Sequence, residues 1–544
     1  MSHWFIILSV GAAAGMVLAS RICLHYYQLE SYQHAGFFRT LRRQWKRSFL
    51  PGLVMAAAAF ALLLFMVLPA CGHPFEIPAH IISALCLALI GCLFHRKAVR
   101  TAQKKKFVLT ARMKRLYAML GMICLLFMLL SFILVRSRAL PLSLQAAACL
   151  LLSFLLPMAL LPCLTALAGF LVLPAEKAIN RMYMHDAVRR MDEIPGLIRV
   201  GITGSYGKTS VKNILNTILS QKYNVLSTPA SFNTPMGLTR VIRERLEPAH
   251  QVFLAEMGAR HRNDIRELTD FIRPSIGILT SVGPQHLDTF RSLENITETK
   301  YDLIRSLPDN GYAVFFDDEG ICAELYDKTQ NVSKIIVGRA GTGIWAEDLS
   351  VSADGSSFTL CFGNEKKLPC RTRLLGAHNI GNILLSCAVA QHLGLSDSQI
   401  QRGISMLVPV EHRLQLIPSR GGITVIDDAY NSNPRGARAA LDVLAMFPGR
   451  RIIVTPGMVE LGAGEDDYNR EFGRQISGSA DLCVLIGEKH TLPIREGLNE
   501  TGFPPDHIQV FPDLTSAVAW LQDIMHAGDY VLYENDLPDH YSEN

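Results

Sequence analysis

Five apolar runs in the first 173 residues limit what this chain can fold into more than anything that follows them: Trp4–Ser20, Phe49–Cys71, Ile77–Phe94, Leu116–Val135 and Leu140–Leu173. An α-helix needs roughly 17 to 25 residues to cross a bilayer core. In lipid a backbone must satisfy its own N–H and C=O groups, so runs of this kind fold as helices. The last run is long for one helix, and Pro157 and Pro162 imply a kink, a tilt or an interfacial stretch within it.

Charge orients these five expected spans. Residues 1–173 carry 17 Lys and Arg against only Glu30 and Glu76, a net of +15, and since the whole chain is +5 the rest carries −10. Six of the basic residues fall in 21–48 and nine in 95–115, whereas 72–76 hold none. Basic loops are retained in the cytoplasm. The N-terminus is therefore expected outside, with residue 174 delivered to the cytoplasmic face of the inner membrane by an odd number of spans. Basic loops beside spans read as topology signals and lipid contacts, and no nucleic-acid partner is expected. The twelve cysteines include no CxxC pair, so neither a zinc site nor a disulfide framework is indicated.

Beyond Leu173 the pattern changes to short apolar runs alternating with amphipathic stretches, as in α/β domains with mainly parallel sheets. The expected organisation is a membrane region at 1–173, a linker helix at 174–194, a phosphate-loop-type α/β domain at 195–418 and a Rossmann-like α/β domain at 419–544. LIRVGITG (197–204), QVFLAEMG (251–258), IGILTSVG (276–283) and YAVFFDD (312–318) read as strands, and Lys208–Lys222 as a helix with Val211, Ile214, Leu215, Ile218 and Leu219 on one face. A helix is expected over Ile380–Leu393 and a hinge near Pro409–Pro418. Further strands are expected near 423–427, 451–455, 482–486 and 530–533.

The stretch GITGSYGKTS (201–210) thus lies between a strand and a helix N-terminus. Gly204 and Gly207 let the backbone wrap a phosphate with its amides turned inward. Lys208 is placed to reach the β- and γ-phosphates, and the Thr209 hydroxyl to hold Mg²⁺. The usual spacing puts a glycine six residues before the lysine, where Ile202 stands, so the loop is a shorter variant and an ordinary glycine-rich turn stays open on this segment alone.

After the loop come AEMGAR (255–260), GPQHLDTFRS (283–292), Lys300, LLGAHNIGN (374–382), EHR (411–413) and DDAYNSNP (427–434). In order and spacing this series resembles the Mur ligase family, over about residues 195–500, and most closely its branch that adds D-alanyl-D-alanine in peptidoglycan synthesis. The resemblance implies an ATP-dependent carboxylate–amine ligase: a carboxylate attacks the γ-phosphate, and an amine captures the acyl phosphate. It implies nucleotide contacts from Thr203, Gly204, Ser205, Tyr206, Gly207, Lys208 and Thr209, with Asn379 beside adenine, Arg413 on the phosphates and Asp428 at the ribose. Thr209 and Glu256 would hold one Mg²⁺. His286 and Lys300 would serve a second, with Lys300 carbamylated, since an ammonium offers no lone pair to a metal. Lys208, His286, Lys300 and Arg413 are the implied catalytic set. Tyr430, Asn431 and Asn433 have either a site role or a turn role.

Two departures bear on the substrates. The family branch begins with a soluble domain for the uridine nucleotide, where this chain has apolar runs. Its KGS-type segment near the end is replaced by YVLYENDLPDHYSEN. The carboxylate acceptor is accordingly expected to be a muramyl peptide or a lipid-linked, membrane-proximal counterpart, and the amine an amino acid or dipeptide. A nucleotide-binding module without ligation, and a ligase of the poly-amino-acid or folate type, stand beside this reading.

Overall fold

The computed structural model describes residues 2–30, 32–67, 76–100, 107–136, 155–229, 232–341, 343–352, 355–363, 366–418, 421–429 and 432–536. The chain divides into two compact units, Met1–Arg181 and Met182–Asn544. The first is helical among its described residues. Helices cover Ser2–Ala19, Arg21–Leu29, His34–Arg43, Trp45–Val67, Glu76–Arg100 and Ala111–Arg136, and Leu161–Asp192 follows a short turn at Leu156–Ala159.

Among the described residues, three stretches are long and apolar enough to cross a bilayer: Ile81–Val99, Ala111–Leu130 and Leu161–Asp192. They fall on the third, fourth and fifth apolar runs. The first two runs are helical within Ser2–Ala19 and Trp45–Val67, and residues 140–154 of the fifth lie outside the described residues. Pro157 and Pro162 sit in first turns, where the missing N–H costs nothing, so the chain breaks between them rather than kinking mid-helix. The basic segment after the first run is not a loop. Its helix His34–Arg43 buries Phe37, Thr40 and Leu41 on one face and exposes Arg39, Arg42 and Arg43 on the other, the spacing of an amphipathic helix.

Small residues set a close helix contact in this unit. Gly11 and Gly15 face the helix Glu76–Arg100, and a Cβ at Gly11 would lie 2.6 Å from Ala84 Cα. A Cβ at Gly15 would lie 2.5 Å from Leu87 O, and one at Gly91 would lie 2.5 Å from Gly15 Cα. This is G-x-x-x-G packing, in which backbones touch because nothing larger than hydrogen intervenes.

The second unit holds two sheets. The first is built from β1 (Ile198–Thr203), β2 (Val225–Ser227), β3 (Val252–Glu256), β4 (Ile276–Leu279), β5 (Tyr312–Phe316), β6 (Ser333–Val337), β7 (Ile344–Ser352), β8 (Gly355–Phe362) and β9 (Lys366–Thr372), in the order β2-β3-β1-β4-β5-β6-β7-β8-β9. Strands β1 to β7 pair in parallel, and β7, β8 and β9 extend the edge antiparallel. The two faces alternate as the strand period requires. Val252 and Leu254 of β3 join the core under the helices Lys208–Leu219 and Ala377–His392. Phe253 and Ala255 join the core under Asp264–Ile272 and Leu293–Arg305.

The second sheet contains β10 (Gln415–Pro418), β11 (Thr424–Asp428), β12 (Arg451–Thr455), β13 (Leu482–Ile486), β14 (Ile508–Phe511) and β15 (Tyr530–Glu534), in the order β10-β11-β15-β12-β13-β14. All are parallel except β10, which pairs antiparallel with β11. The expected hinge near Pro409–Pro418 therefore ends in a strand of the second sheet.

Replacing Gly15 by Ile puts branched carbon onto the backbone of the helix Glu76–Arg100. The expected result is a fall in the melting temperature of the detergent-solubilised full-length protein, on the scale of about 1–3 kcal/mol for overpacking. Ala14→Ile, on the exposed side of the same helix, leaves it unchanged.

Candidate active site

β1 lies between β3 and β4, so the chain runs outward from β1 in both directions and leaves a crevice at the strands' carboxyl ends. Ligands of open α/β sheets bind at such a switch point. The phosphate-loop residues, Glu256 at the end of β3 and the segment after β4 all emerge there.

The loop is held by its own hydrogen bonds. The Ser205 amide donates to Ser281 O at 2.7 Å, Ser205 Oγ donates to Gly283 O at 2.8 Å and the Gly283 amide donates back to Ser205 Oγ at 3.0 Å. Thr280 Oγ1 donates to the Tyr206 carbonyl, and the Tyr206 hydroxyl to Pro284 O. Thr203 Oγ1 donates to Met257 O at 3.0 Å. Gly204 has φ +152° and a Cβ there would fall against Thr280 Oγ1. Gly207 has φ +79°, and its Cβ would lie 2.7 Å from Asn382 Oδ1. Both positions therefore require glycine. No side chain caps the helix Lys208–Leu219, so its first amides face the crevice with the positive end of the helix dipole.

Two lysines converge on one carbonyl. Lys208 Nζ donates to Gly204 O at 2.7 Å and to Ser205 O at 3.3 Å, and Lys300 Nζ, from the helix Leu293–Arg305, donates to Gly204 O at 3.0 Å. Burial lowers Lys208 to about 8. Lys300 is pushed well below the usual lysine value, first by burial and then by the Lys208 charge. Lys300 is therefore the lysine whose charged form is opposed both by burial and by a like charge.

Glu256 is buried, and each of its ligands has a role. Thr209 Oγ1 lies 3.1 Å from both carboxylate oxygens, Lys212 Nζ 3.1 Å from Oε2 and Asn233 Nδ2 3.2 Å from Oε1. A hydroxyl and an anionic carboxylate this close are the hard oxygen donors that suit Mg²⁺, which takes one or two protein ligands and completes its shell with water and phosphate. The residues present fit that ion. Among the described residues no group of three or more His, Cys, Asp or Glu is gathered as a self-sufficient metal cage.

His286 and Lys300, expected as partners, take different ones. The His286 ring at Nδ1 pairs with Glu460 of the second sheet's domain, and Lys300 holds the loop carbonyl. Burial lowers the His286 pKa, with the Glu460 carboxylate opposing the shift. Asn379 is buried at the start of the helix Ala377–His392, donating to Leu375 O at 2.8 Å and accepting from Asn382 at 3.3 Å.

Arg413 acts electrostatically on both Lys208 and Asp428, lowering each. Asp428, at the end of β11, accepts from the Leu414 amide at 3.3 Å, and burial raises it to about 7 against the pull of Arg413. Asn433 caps the helix Pro434–Leu444 through Gly436 N at 2.8 Å, which is its turn role. Tyr430 and Asn431 lie outside the described residues.

Three participants were not expected from the sequence. Lys212, one turn beyond Lys208, has the i,i+4 spacing that could have signalled it. Asn233 and Glu460 carry no local signal, because neither SFNTP nor PGMVELG resembles a ligand pattern.

A raised pH should weaken nucleotide binding through Lys208. Its ammonium is fully present below about 8 and is lost above that value, while bound phosphate favours the charged form. Kd for ATP, measured with a fluorescent analogue, is expected to be flat to about pH 7.5 and then to rise by up to about tenfold per pH unit. Lys208→Met removes this dependence.

Comparison with known proteins agrees with this geometry. The Mur ligase middle domain matches residues 202–390, and the Mur ligase glutamate ligase domain matches 412–533. The chain is 31% identical over 338 residues to the UDP-N-acetylmuramoyl-tripeptide–D-alanyl-D-alanine ligase of Synechocystis, covering 62% of this chain and 71% of that protein. It is 30% identical to the enzyme of the same name from Escherichia coli, covering 57% and 68%. The fold matches crystal structures of MurF from Acinetobacter baumannii (TM-score 0.60, 23% identity, 67% of this chain and 78% of that one) and of the MurF ligase from Thermotoga maritima in complex with ADP (0.58, 24%, 66% and 80%). With the phosphate loop, the Thr209–Glu256 pair and both domain matches in sequence order, the chain belongs to the Mur ligase family of ATP-dependent amide-bond-forming enzymes.

Proposed function

We propose that this ligase joins D-alanyl-D-alanine, or a closely similar amine, to the carboxylate of a muramyl peptide at the cytoplasmic face of the membrane. The observation that carries the reading is the convergence of Lys208, Lys300, Thr209 and Glu256 on one switch-point crevice. The identities with D-alanyl-D-alanine ligases support the substrate pair.

The reaction must neutralise charge on a transferring phosphoryl group, chiefly by positioning and cations. The loop amides from Ser205 to Thr209 hold the phosphates. Lys208 exchanges the Gly204 carbonyl for the β- and γ-phosphate oxygens, which restores its full positive charge. The acceptor carboxylate attacks the γ-phosphorus and ADP leaves; the amine then attacks the acyl carbon of the acyl phosphate, and phosphate departs. Thr209 and Glu256 would hold Mg²⁺, which would supply charge neutralisation on the phosphates. Lys212 and Asn233 keep the Glu256 carboxylate oriented. Arg413 adds a cation from beyond the central domain, Asp428 faces the ribose and Asn379 the adenine, so the site is complete only with both domains together.

Lys300 is suited to carbamylation. Its depressed proton affinity favours the neutral amine, whose lone pair would attack CO₂ to form an N–C bond with loss of a proton. Such a carbamate would offer anionic oxygens to a second Mg²⁺, which His286 would help to hold. The three bilayer-length helical stretches and the basic segments beside them support placement at the inner membrane, with an acceptor that is soluble or lipid-linked.

ADP release by full-length protein in detergent is expected to require ATP, UDP-muramyl tripeptide or its lipid-linked form, and D-alanyl-D-alanine together. Glu256→Ala should lower kcat by about 10²–10³. Stripping CO₂ should lower kcat and bicarbonate should restore it, whereas Lys300→Arg is inactive in both conditions. ATP binding without turnover on any carboxylate–amine pair would replace this reading with a non-ligating nucleotide module.

A further inference from the structure

The contact that sequence reasoning did not anticipate is the one between His286, after β4 of the central domain, and Glu460, after β12 of the C-terminal domain. It is more than a surface ion pair. The Leu287 amide donates to the Glu460 carbonyl at 3.1 Å, and Arg260 Nη1 lies 3.9 Å from Glu460 Oε1. Both residues are held in the left-handed region, His286 at φ +53° and Glu460 at φ +66°, a conformation costly for non-glycine residues and kept only where its surroundings enforce it.

The surroundings of Glu460 do enforce it. Asn469 accepts from the Met458 amide and donates to Met458 O, each at 2.9 Å, and Glu465 accepts from the Leu461 amide at 3.3 Å. The segment 457–461 is thus clamped to the helix Glu465–Ser477, and the carboxylate is presented as a fixed group. A carboxylate can only accept, so the His286 nitrogen facing it, Nδ1, carries a proton, and in the neutral ring the lone pair is then on Nε2. A carboxylate behind an imidazole is how metal-binding histidines have their tautomer and ring orientation set.

We propose that Glu460 is a positioning residue of the catalytic centre: it fixes His286 in the tautomer that leaves Nε2 available to a divalent cation, and does so only when the two domains are together. The inference rests on the reading of His286 as a cation-side residue. It couples domain closure to assembly of that cation site, because the ligand comes from one domain and the group that orients it from the other.

The test uses full-length protein in detergent with ADP and Mn²⁺ as the probe, counting free Mn²⁺ by electron paramagnetic resonance. Glu256→Ala identifies the ions held at the Thr209–Glu256 pair. For the remaining Mn²⁺, Glu460→Ala is expected to weaken affinity about 10–100-fold, and Glu460→Gln, which keeps an acceptor oxygen, by less. The double variant His286→Ala/Glu460→Ala should bind no more weakly than His286→Ala alone. The Leu287–Glu460 main-chain bond survives each change at 460, and ADP affinity without metal serves as the folding control. Unchanged Mn²⁺ affinity in Glu460→Ala, with loss in His286→Ala, overturns the proposal and leaves the reading of His286 standing. Additive losses in the double variant also overturn it. Unchanged affinity in His286→Ala removes the reading of His286 and the proposal with it.

Discussion

The carbonyl oxygen of Gly204 is the atom on which this site depends. It accepts from Lys208 and Lys300, and can do so only because Gly204 takes a backbone conformation closed to other residues while its neighbours Ser205 and Tyr206 are bound to the segment 280–284. Two ammonium groups on one acceptor cannot both keep ordinary proton affinities. The more deeply buried one, Lys300, is pushed well below the ordinary lysine value by burial and by the Lys208 charge.

Around that centre the charge is balanced in buried pairs. Glu256 and Lys212 are both shielded from solvent and 3.1 Å apart. Such a pair gains little net stability after desolvation, but it gives a fixed anion beside Thr209, oriented before substrate binds. In the C-terminal domain a second buried carboxylate, Glu534, is raised to about 8 by burial and bonded to Ser432 and to Thr455. It stands in the segment where the family's KGS pattern is missing, and it ties the loop after β11 to the end of β12. The domain brings Asp428, the charge of Arg413 that acts on Lys208, and Glu460, all from strand ends or the loops beside them.

The N-terminal unit follows another logic. Its helices rely on close packing, as helices do where apolar burial gains nothing. Gly11, Gly15 and Gly91 supply it, since backbone meets backbone at those positions. Glu176, buried in this unit, is paired with Arg115 at 2.5 Å. Such pairing is what an ionisable side chain beside apolar helices requires.

The sequence by itself determined the chemistry-bearing segments whose meaning is local. TGSYGKT declares a phosphate loop because two glycines, a lysine and a hydroxyl lie within one strand-to-helix turn. β1, β3, β4 and β5 are legible because strands buried on both faces read as unbroken apolar runs. β8 and β9 escaped because they alternate with polar residues at an edge, and β10 because it borrows its partner from β11. Only the tertiary structure decided what lies across the crevice: that Lys300 shares Gly204 O with Lys208, that Lys212 and Asn233 complete Glu256, and that His286 is held by Glu460. These are distances between residues far apart in the chain, set by strand order and domain docking, and no periodicity or spacing in a linear sequence encodes them.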